Sequence, residues 1–164
     1  FFGILILIVD GYPAIFKQDR VGKNEKVFKM YKFRTMKNNT HEISKNDFKN
    51  ANSQITKIGK FLRKFSIDEL LQIVNIIKGN MTFIGYRPGI RSEIKLNSLR
   101  KEKGVFKYLP GVTGWAQVNG RDHISIDKKV KLDYLYYKNK SLLLKLKIIV
   151  DTFYNVLSKK NILH

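Results

Sequence analysis

The spacing of apolar residues constrains the fold most, because it changes from strand-like to helix-like along the chain. Two short β-like runs, at residues 14–18 and 26–33, flank the turn-forming stretch 22–24. They predict a hairpin with a basic rim. Helical spacing begins near residue 55 and recurs to the end of the chain. The sequence therefore predicts an α+β fold, with a short β-hairpin or sheet and several helices.

The helical segments are punctuated by residues that end helices. Apolar residues at helical spacing predict a helix from Ile55 to Phe65, which Ser66 interrupts. A second pattern, from Leu70 to Ile77, predicts another helix, and Gly79 follows where a helix-ending glycine is expected. The stretch 104–121 is rich in Gly, Pro and Asn around the only Trp, which is typical of functional loops.

The last apolar stretch, residues 141–157, has an unusually wide apolar face for a helix. Packing in the core is the default interpretation of such a face. The alternative is an amphipathic helix in a membrane interface, whose lysines extend toward the headgroups.

Length and composition indicate one compact unit, which we place at residues 10–164 of the 164-residue chain. Residues 1–9 are apolar but fewer than the roughly 20 needed to cross a bilayer. They are interpreted as the end of a longer hydrophobic segment, with a buried strand as the alternative. Residues 37–54 are polar and predict a surface loop or lid.

The charge balance predicts an anionic partner. The chain has 32 Lys and Arg against 13 Asp and Glu, a net charge of +19. Nucleic acid, an acidic membrane surface and a phosphorylated small molecule all fit this charge, although biased coding also explains a Lys-rich composition. Only 7 of the basic residues are Arg, which favours a diffuse negative surface such as a membrane. The absence of cysteine excludes disulfides and thiolate metal sites.

In so basic a chain, the adjacent acids Asp68 and Glu69 need an explanation. The stretch Ser66-Ile67-Asp68-Glu69 matches a capping box, which would account for Glu69 but does not require Asp68. A helix N-terminus also stabilises a carboxylate and attracts phosphate, so capping and catalysis are compatible. Asp68 is therefore the stronger candidate for chemistry.

Basic residues beside a rigid Pro, Gly or aromatic neighbour are candidates for binding a phosphate substrate. They are Lys32, Arg34, Arg87 and Arg121. Each alone is more simply a surface charge, but their joint occurrence in a short chain favours a shared role. If phosphate binds near the acid pair, a divalent cation is expected there to offset repulsion.

Several ordered runs now carry a resemblance to a known family. They are 16–23, 31–36, 59–72, 78–81 and 110–121, the last reading Pro-Gly-Val-Thr-Gly-Trp-Ala-Gln-Val-Asn-Gly-Arg. The chain resembles the bacterial sugar transferases, the monotopic polyprenyl-phosphate phosphoglycosyltransferases that initiate surface-glycan assembly. The likeness covers nearly the whole chain. Departures at Tyr86, Asn80, Lys145 and the pair 126–127 concern substrate details, since the acid pair and Arg87 are retained.

The resemblance implies transfer of a phosphosugar from a UDP-sugar to undecaprenyl phosphate, with release of UMP. It implies an Asp-Glu dyad, here Asp68 and Glu69, that works with Mg²⁺, with the Asp forming a covalent phosphosugar intermediate. Splitting one transfer between two bulky anions into two steps agrees with the sequence-based interpretation. A re-entrant N-terminal membrane helix is also implied, of which residues 1–9 would be the remnant, on the cytoplasmic face of the bacterial inner membrane.

A nucleic-acid-binding module without catalysis is the rival interpretation. Lys and Arg interleaved with Tyr and Phe would supply phosphate contacts and base stacking. The acid pair and the loop around Trp115 do not help to hold a polyanion. We therefore expect the anionic partners to be a UDP-sugar, undecaprenyl phosphate and a membrane surface, and not nucleic acid.

Overall fold

The computed structural model describes residues 1–38, 52–120 and 123–158. The α-helices are α1 (Phe2–Asp10), α2 (Lys57–Lys64), α3 (Gln72–Ile77), α4 (Ile94–Glu102), α5 (Trp115–Val118), α6 (Ile126–Lys138) and α7 (Leu142–Leu157). The strands are β1 (Ile15–Val21), β2 (Val27–Phe33), β3 (Thr82–Ile84) and β4 (Gly111–Thr113). Short 3-10 helices lie at Lys23–Glu25, Asn52–Gln54, Ile67–Leu71 and Val105–Lys107. The predicted α+β class is confirmed.

The predicted hairpin is formed by β1 and β2, which pair antiparallel from Ile15↔Phe33 to Val21↔Val27. Asn75 of α3 is fully buried and joins the hairpin to the helices. Its Nδ2 donates to the carbonyl of Lys29 at 2.7 Å, and its Oδ1 accepts from the N–H of Tyr31 at 3.0 Å. This places β2 firmly alongside the acid pair.

Strands β3 and β4 form a second, parallel pair that the apolar spacing does not predict. Glycines allow the close approach here, since a Cβ at Gly111 or Gly114 would overlap the backbone of Gly85. The turn-rich stretch 104–121 thus supplies β4 and α5, and it brings them against the chain that follows β3.

The N-terminal apolar run forms α1, so the alternative of a buried strand is wrong. Ile6 is fully buried and packs with Ala14 of the following loop and Leu62 of α2. The side chains of Ile4 and Ile8 on the same helix are exposed. No helix in the described part of the chain is both long and apolar enough to cross a bilayer.

The two helices around Ser66 end where the sequence indicates. Thr56 caps α2, its hydroxyl accepting from the N–H of Gly59 at 2.9 Å, and the helix stops at Lys64. Gly79 has φ 71° just beyond α3, which confirms the helix-ending glycine. The capping box is wrong, because Ser66 has φ 54° and its side chain makes no capping hydrogen bond.

Helices α3 and α7 expose much of their apolar surface. The buried residues of α3 are the polar Gln72 and Asn75, whereas Ile73 and Ile77 are 50% and 81% exposed. In α7 the fully buried residue is Ile148, and most of the predicted apolar stripe faces outward. Packing of that wide face in the core is therefore wrong for this structure.

The predicted loop at 37–54 lies largely outside the described residues. Its two ends meet, since the N–H of Lys37 donates to the carbonyl of Gln54 at 2.9 Å. Met36 and Ile55 form an isolated antiparallel bridge beside this bond. The chain thus leaves the hairpin and returns at one place, next to α2.

Candidate active site

The acid pair lies on the 3-10 helix Ile67–Leu71, between α2 and α3. The left-handed conformation of Ser66 reverses the chain after α2, and the residues that follow turn against β2. Asp68 is only 8% exposed, and the Glu69 side chain is mostly buried. Both carboxylates therefore sit in a partly dehydrated site next to the hairpin.

Glu69 holds two basic side chains from different elements. Its Oε1 accepts from Lys32 Nζ of β2 at 2.7 Å and from Arg87 Nη2, just after β3, at 2.8 Å. The second oxygen, Oε2, lies 3.5 Å from Arg87 Nη1. The structure thus brings Asp68, Glu69, Lys32 and Arg87 together, although they are distant in sequence.

Asp68 differs from its neighbour in its contacts. None of the described residues donates a hydrogen bond to its carboxylate. Burial raises the pKa of Asp68, and the charge of Glu69 adds to the rise. Lys32, Arg63 and Arg87 lower the pKa of Asp68 and so act against the burial. Among the described residues, Asp68 is thus a carboxylate close to several cations but without a direct bond to any of them.

Lys32 is also shifted by its surroundings. Burial lowers the pKa of its ammonium group, with Arg87 acting in the same direction, while Glu69 and Asp68 raise it. Lys32 and the two acids therefore form one coupled group of charges.

Arg63 joins the site without having been singled out from the sequence. It lies in the last turn of α2, five positions before Asp68, and its Nε donates to Thr35 Oγ1 at 2.8 Å. Its place in the run 59–72, immediately ahead of the acid pair, was the signal that could have identified it.

The other two predicted phosphate ligands are Arg34 and Arg121. Arg34 is buried, and its Nη2 donates to the carbonyls of Asp10 and Gly11 at 2.7 and 2.6 Å. Arg34 also donates to Asn38, so in this structure it ties the end of α1 to the hairpin. Arg121 lies outside the described residues.

A mainly apolar cavity of about 230 Å³ opens beside the dyad. Glu69 and Arg87 form its charged edge. Apolar lining comes from the 3-10 helix Ile67–Leu71, α3, β3, β4, α5 and α7: Leu70, Ile73, Ile76, Phe83, Val112, Val118 and Val156. Gln117 also lines it, and both polar atoms of its amide are buried without a partner among the described residues. The cavity can therefore take a ligand with a charged end, an apolar part and a hydrogen-bonding group.

The donor set fits a magnesium ion held jointly with a phosphorylated ligand. Within the described residues, no cluster of three or more His, Cys, Asp or Glu could hold a metal by itself. Magnesium commonly needs only one or two carboxylates together with substrate phosphates. Asp68 has a carboxylate that accepts no hydrogen bond from the described residues, and Oε2 of Glu69 lies farther from the Arg87 guanidinium than Oε1 does.

Comparison with known proteins now identifies the family. A family model described as bacterial sugar transferase matches residues 1–159. The chain belongs to the bacterial sugar transferase family. This places the acid pair, Lys32 and Arg87 within a region shared with known sugar transferases.

Similar bacterial sugar transferases have more specific names. The chain is 44% identical to the galactosyl transferase CpsE of Streptococcus agalactiae, over 90% of this chain and 35% of that protein. It is 41% identical to the uncharacterized sugar transferase EpsL of Bacillus subtilis, over 93% of this chain and 74% of that protein. It is 40% identical to the undecaprenyl-phosphate galactose phosphotransferase of Salmonella typhimurium, over 81% of this chain and 31% of that protein. The chain thus spans about a third of the length of two of these relatives.

Proposed function

We propose that this bacterial sugar transferase moves a phosphosugar from a UDP-sugar to undecaprenyl phosphate and releases UMP. Names of similar proteins support both substrates. A protein of Aeromonas hydrophila, 34% identical, is named a UDP-N-acetylgalactosamine-undecaprenyl-phosphate N-acetylgalactosaminephosphotransferase. One of Xanthomonas campestris, 35% identical, is named a UDP-glucose:undecaprenyl-phosphate glucose-1-phosphate transferase.

The observation that carries the mechanism is the contrast between the two acids. Glu69 is bonded to Lys32 and Arg87, whereas Asp68 accepts no hydrogen bond from the described residues. In the first step an Asp68 oxygen attacks the phosphorus that carries the sugar. A P–O bond to Asp68 forms, the bridging P–O bond of the diphosphate breaks, and UMP leaves with the electron pair.

In the second step the acceptor phosphate attacks the same phosphorus. The bond to Asp68 breaks, which restores the carboxylate and gives undecaprenyl-diphospho-sugar. Two steps let UMP leave before the lipid phosphate enters, so the two anionic substrates never have to share the site.

Lys32 and Arg87 stabilise the phosphate charge, and Glu69 holds them in place between turnovers. Arg63 adds positive potential at Asp68. Arg34 and Arg121 stay predictions as further phosphate ligands. Magnesium, held by Asp68 and Glu69 together with the diphosphate, would supply further neutralisation of the substrate charge.

The cavity supports a lipid acceptor. Its apolar lining ends at Arg87, and Leu70, Ile73 and Phe83 on its lining are also at least half exposed. An isoprenoid chain could thus lie on this apolar surface with its phosphate at Arg87. The same exposed surface and the basic composition support attachment to the anionic cytoplasmic face of the bacterial inner membrane, with α7 as an interfacial helix.

The test is a panel of UDP-sugars incubated with the purified protein in lipid vesicles that contain undecaprenyl phosphate and magnesium. We expect UMP release with at least one sugar. When undecaprenyl phosphate is omitted, intact-protein mass spectrometry should show one phosphosugar on the chain, because the first step needs only the donor. Asp68→Asn should lose the adduct and at least on the order of 10³-fold in turnover.

Two results would count against the proposal. If Asp68→Asn kept wild-type turnover, Asp68 would not be the nucleophile. Glu102→Gln, which alters an exposed acid on α4, is the matched control. No UMP release with any sugar, together with salt-sensitive binding of oligonucleotides, would favour the nucleic-acid-binding module instead.

A further inference from the structure

A second pair of opposite charges lies in the interior, behind the candidate active site. Arg100 of α4 donates to Asp133 Oδ2 of α6 from Nε at 3.0 Å and from Nη2 at 2.6 Å. Arg100 is 0% exposed and Asp133 is 2% exposed. A buried ion pair loses so much hydration that apolar side chains of similar size often stabilise a fold as well or better. Stability alone is therefore a weak reason for this pair.

The third guanidinium nitrogen of Arg100 bonds the backbone of an active-site residue. Its Nη1 donates to the backbone carbonyl of Arg87 at 2.8 Å, and its guanidinium stacks on the Tyr86 ring, 4.8 Å from the centroid. Arg87 is the residue whose side chain bonds Glu69. One fully buried guanidinium thus connects an interior carboxylate to the backbone of an active-site residue.

The backbone on both sides of Arg87 is held in the same way by other elements. The Tyr137 hydroxyl accepts from the N–H of Tyr86 at 3.1 Å, and Arg20 Nη1 donates to the Pro88 carbonyl at 3.0 Å. The carbonyl of Gly89 accepts from the N–H of Val21 at 2.9 Å. The segment 86–89 is therefore fixed from α6, β1 and α4.

We propose that Arg100, held by Asp133, is a positioning residue that fixes the backbone of Arg87 and thereby aims the Arg87 guanidinium at Glu69 and the substrate phosphate. The proposal goes beyond the phosphosugar transfer proposed above and depends on it only for the turnover measurements. Small misplacement of a charged group at a reacting phosphate lowers turnover strongly, so backbone fixation at this position has a direct kinetic consequence.

The test replaces the whole pair with apolar residues, as Arg100→Met with Asp133→Leu, so that no buried charge is left alone. We expect a melting temperature close to that of the wild type and a kcat lowered on the order of 10- to 100-fold, with a smaller change in KM. In an Arg87→Met background the same double replacement should cost less than about twofold, because its effect passes through Arg87.

Val130→Ala is the matched control. Val130 is a buried apolar residue of α6, three positions before Asp133, so its truncation should lower the melting temperature and leave kcat within about twofold. Unchanged kcat in the apolar pair variant would overturn the proposal. The proposal would also be overturned if the pair replacement lowered kcat by the same factor in the Arg87→Met background as in the wild type. That result would show that the pair does not act through Arg87.

Amide hydrogen exchange tests the positioning without any substrate. In the apolar pair variant we expect exchange to accelerate about 10-fold at the N–H of Tyr86, and to stay unchanged at Met30 in the hairpin. Unaltered exchange at Tyr86 would refute the proposed fixation even if turnover fell. If the wild-type protein transfers no sugar, the proposed function fails, while the exchange result still decides whether Arg100 holds the Arg87 segment.

Discussion

At the scale of single residues, the neighbours Asp68 and Glu69 are set apart by what surrounds them. Glu69 forms ion pairs with Lys32 and Arg87, and Asp68 lies among the same cations without a hydrogen bond from the described residues. A carboxylate that is partly dehydrated and not directly bonded is better prepared to attack phosphorus than one already paired. Sequence adjacency alone does not distinguish the two roles.

The coupled charges predict how turnover depends on pH. Only the deprotonated form of Asp68 can attack, and burial raises its pKa, so kcat/KM should rise with pH through a value above that of an ordinary Asp. Burial lowers the pKa of Lys32, so its positive charge, and with it activity, should be lost at a pH below that of an ordinary Lys. UMP release measured across pH should therefore give a bell-shaped profile.

Lys32→Arg separates the two limbs of that profile. Arg stays protonated at all accessible pH values, so the alkaline limb should move to higher pH while the acid limb stays in place. An alkaline limb that does not move in this variant would contradict the assignment to Lys32.

The grouping of Lys32 and Arg87 with the acid pair was predictable, because Asp68 and Glu69 are rare acids inside an ordered motif and the two basic residues lie in similar motifs. The position of Arg34 was not, because its guanidinium bonds carbonyls of Asp10 and Gly11, which only folding brings near. The buried partners of Arg100 likewise depend on how α4 packs against α6. Such long-range pairings leave no local pattern in the sequence.

At the scale of elements, the apolar spacing predicted where helices lie better than it predicted which of their residues are buried. It predicted α3 with its helix-ending Gly79, but the polar Gln72 and Asn75 face inward. Helical spacing identifies a face, not what covers it. Strands β3 and β4 were not predicted because they are three residues long, and glycine packing rather than an apolar pattern brings them together.

Helix α2 packs closely against the chain that leaves the hairpin, because Gly59 has no side chain. A Cβ there would lie 2.7 Å from the carbonyl carbon of Thr35, so Gly59→Ala must push α2 away. We expect destabilisation of about 1–3 kcal/mol, as for other overpacked sites. Thermal unfolding should show this as a melting temperature lower by roughly 2–4 °C for each kcal/mol.

Gly3→Ala is the matched control, since Gly3 also lies within a helix. The nearest atom to a Cβ at Gly3 is 3.7 Å away, which is ordinary contact. Alanine there should be neutral or stabilising by about 0.5–1 kcal/mol through its higher helix propensity. Equal melting temperatures for the two variants would show that α2 is not packed against Thr35.

At the scale of the whole molecule, the protein combines exposed apolar side chains with a large excess of positive charge. Exposed apolar side chains of α3 and β3, such as Ile73 and Phe83, line the cavity beside the dyad, and α7 exposes further apolar side chains such as Phe153. Exposed apolar surface of this extent marks a binding site. With a net charge of +19, the proposed attachment to an anionic lipid surface would account for both features.

Vesicle binding follows from this arrangement. The protein should bind vesicles that contain anionic phospholipid more tightly than neutral ones, and added salt should weaken that difference because it screens surface charge. Replacing two exposed apolar residues of α7, as Leu143→Glu with Phe153→Glu, should lower binding at least about 10-fold by co-sedimentation. Ile94→Glu, at an exposed apolar residue of α4, controls for the added acid and should lower binding much less. Equal losses from α4 and α7 would mean that charge alone draws the protein to lipid. A loss confined to α7 would place this helix in the membrane interface, beside the cavity that we propose for the lipid acceptor.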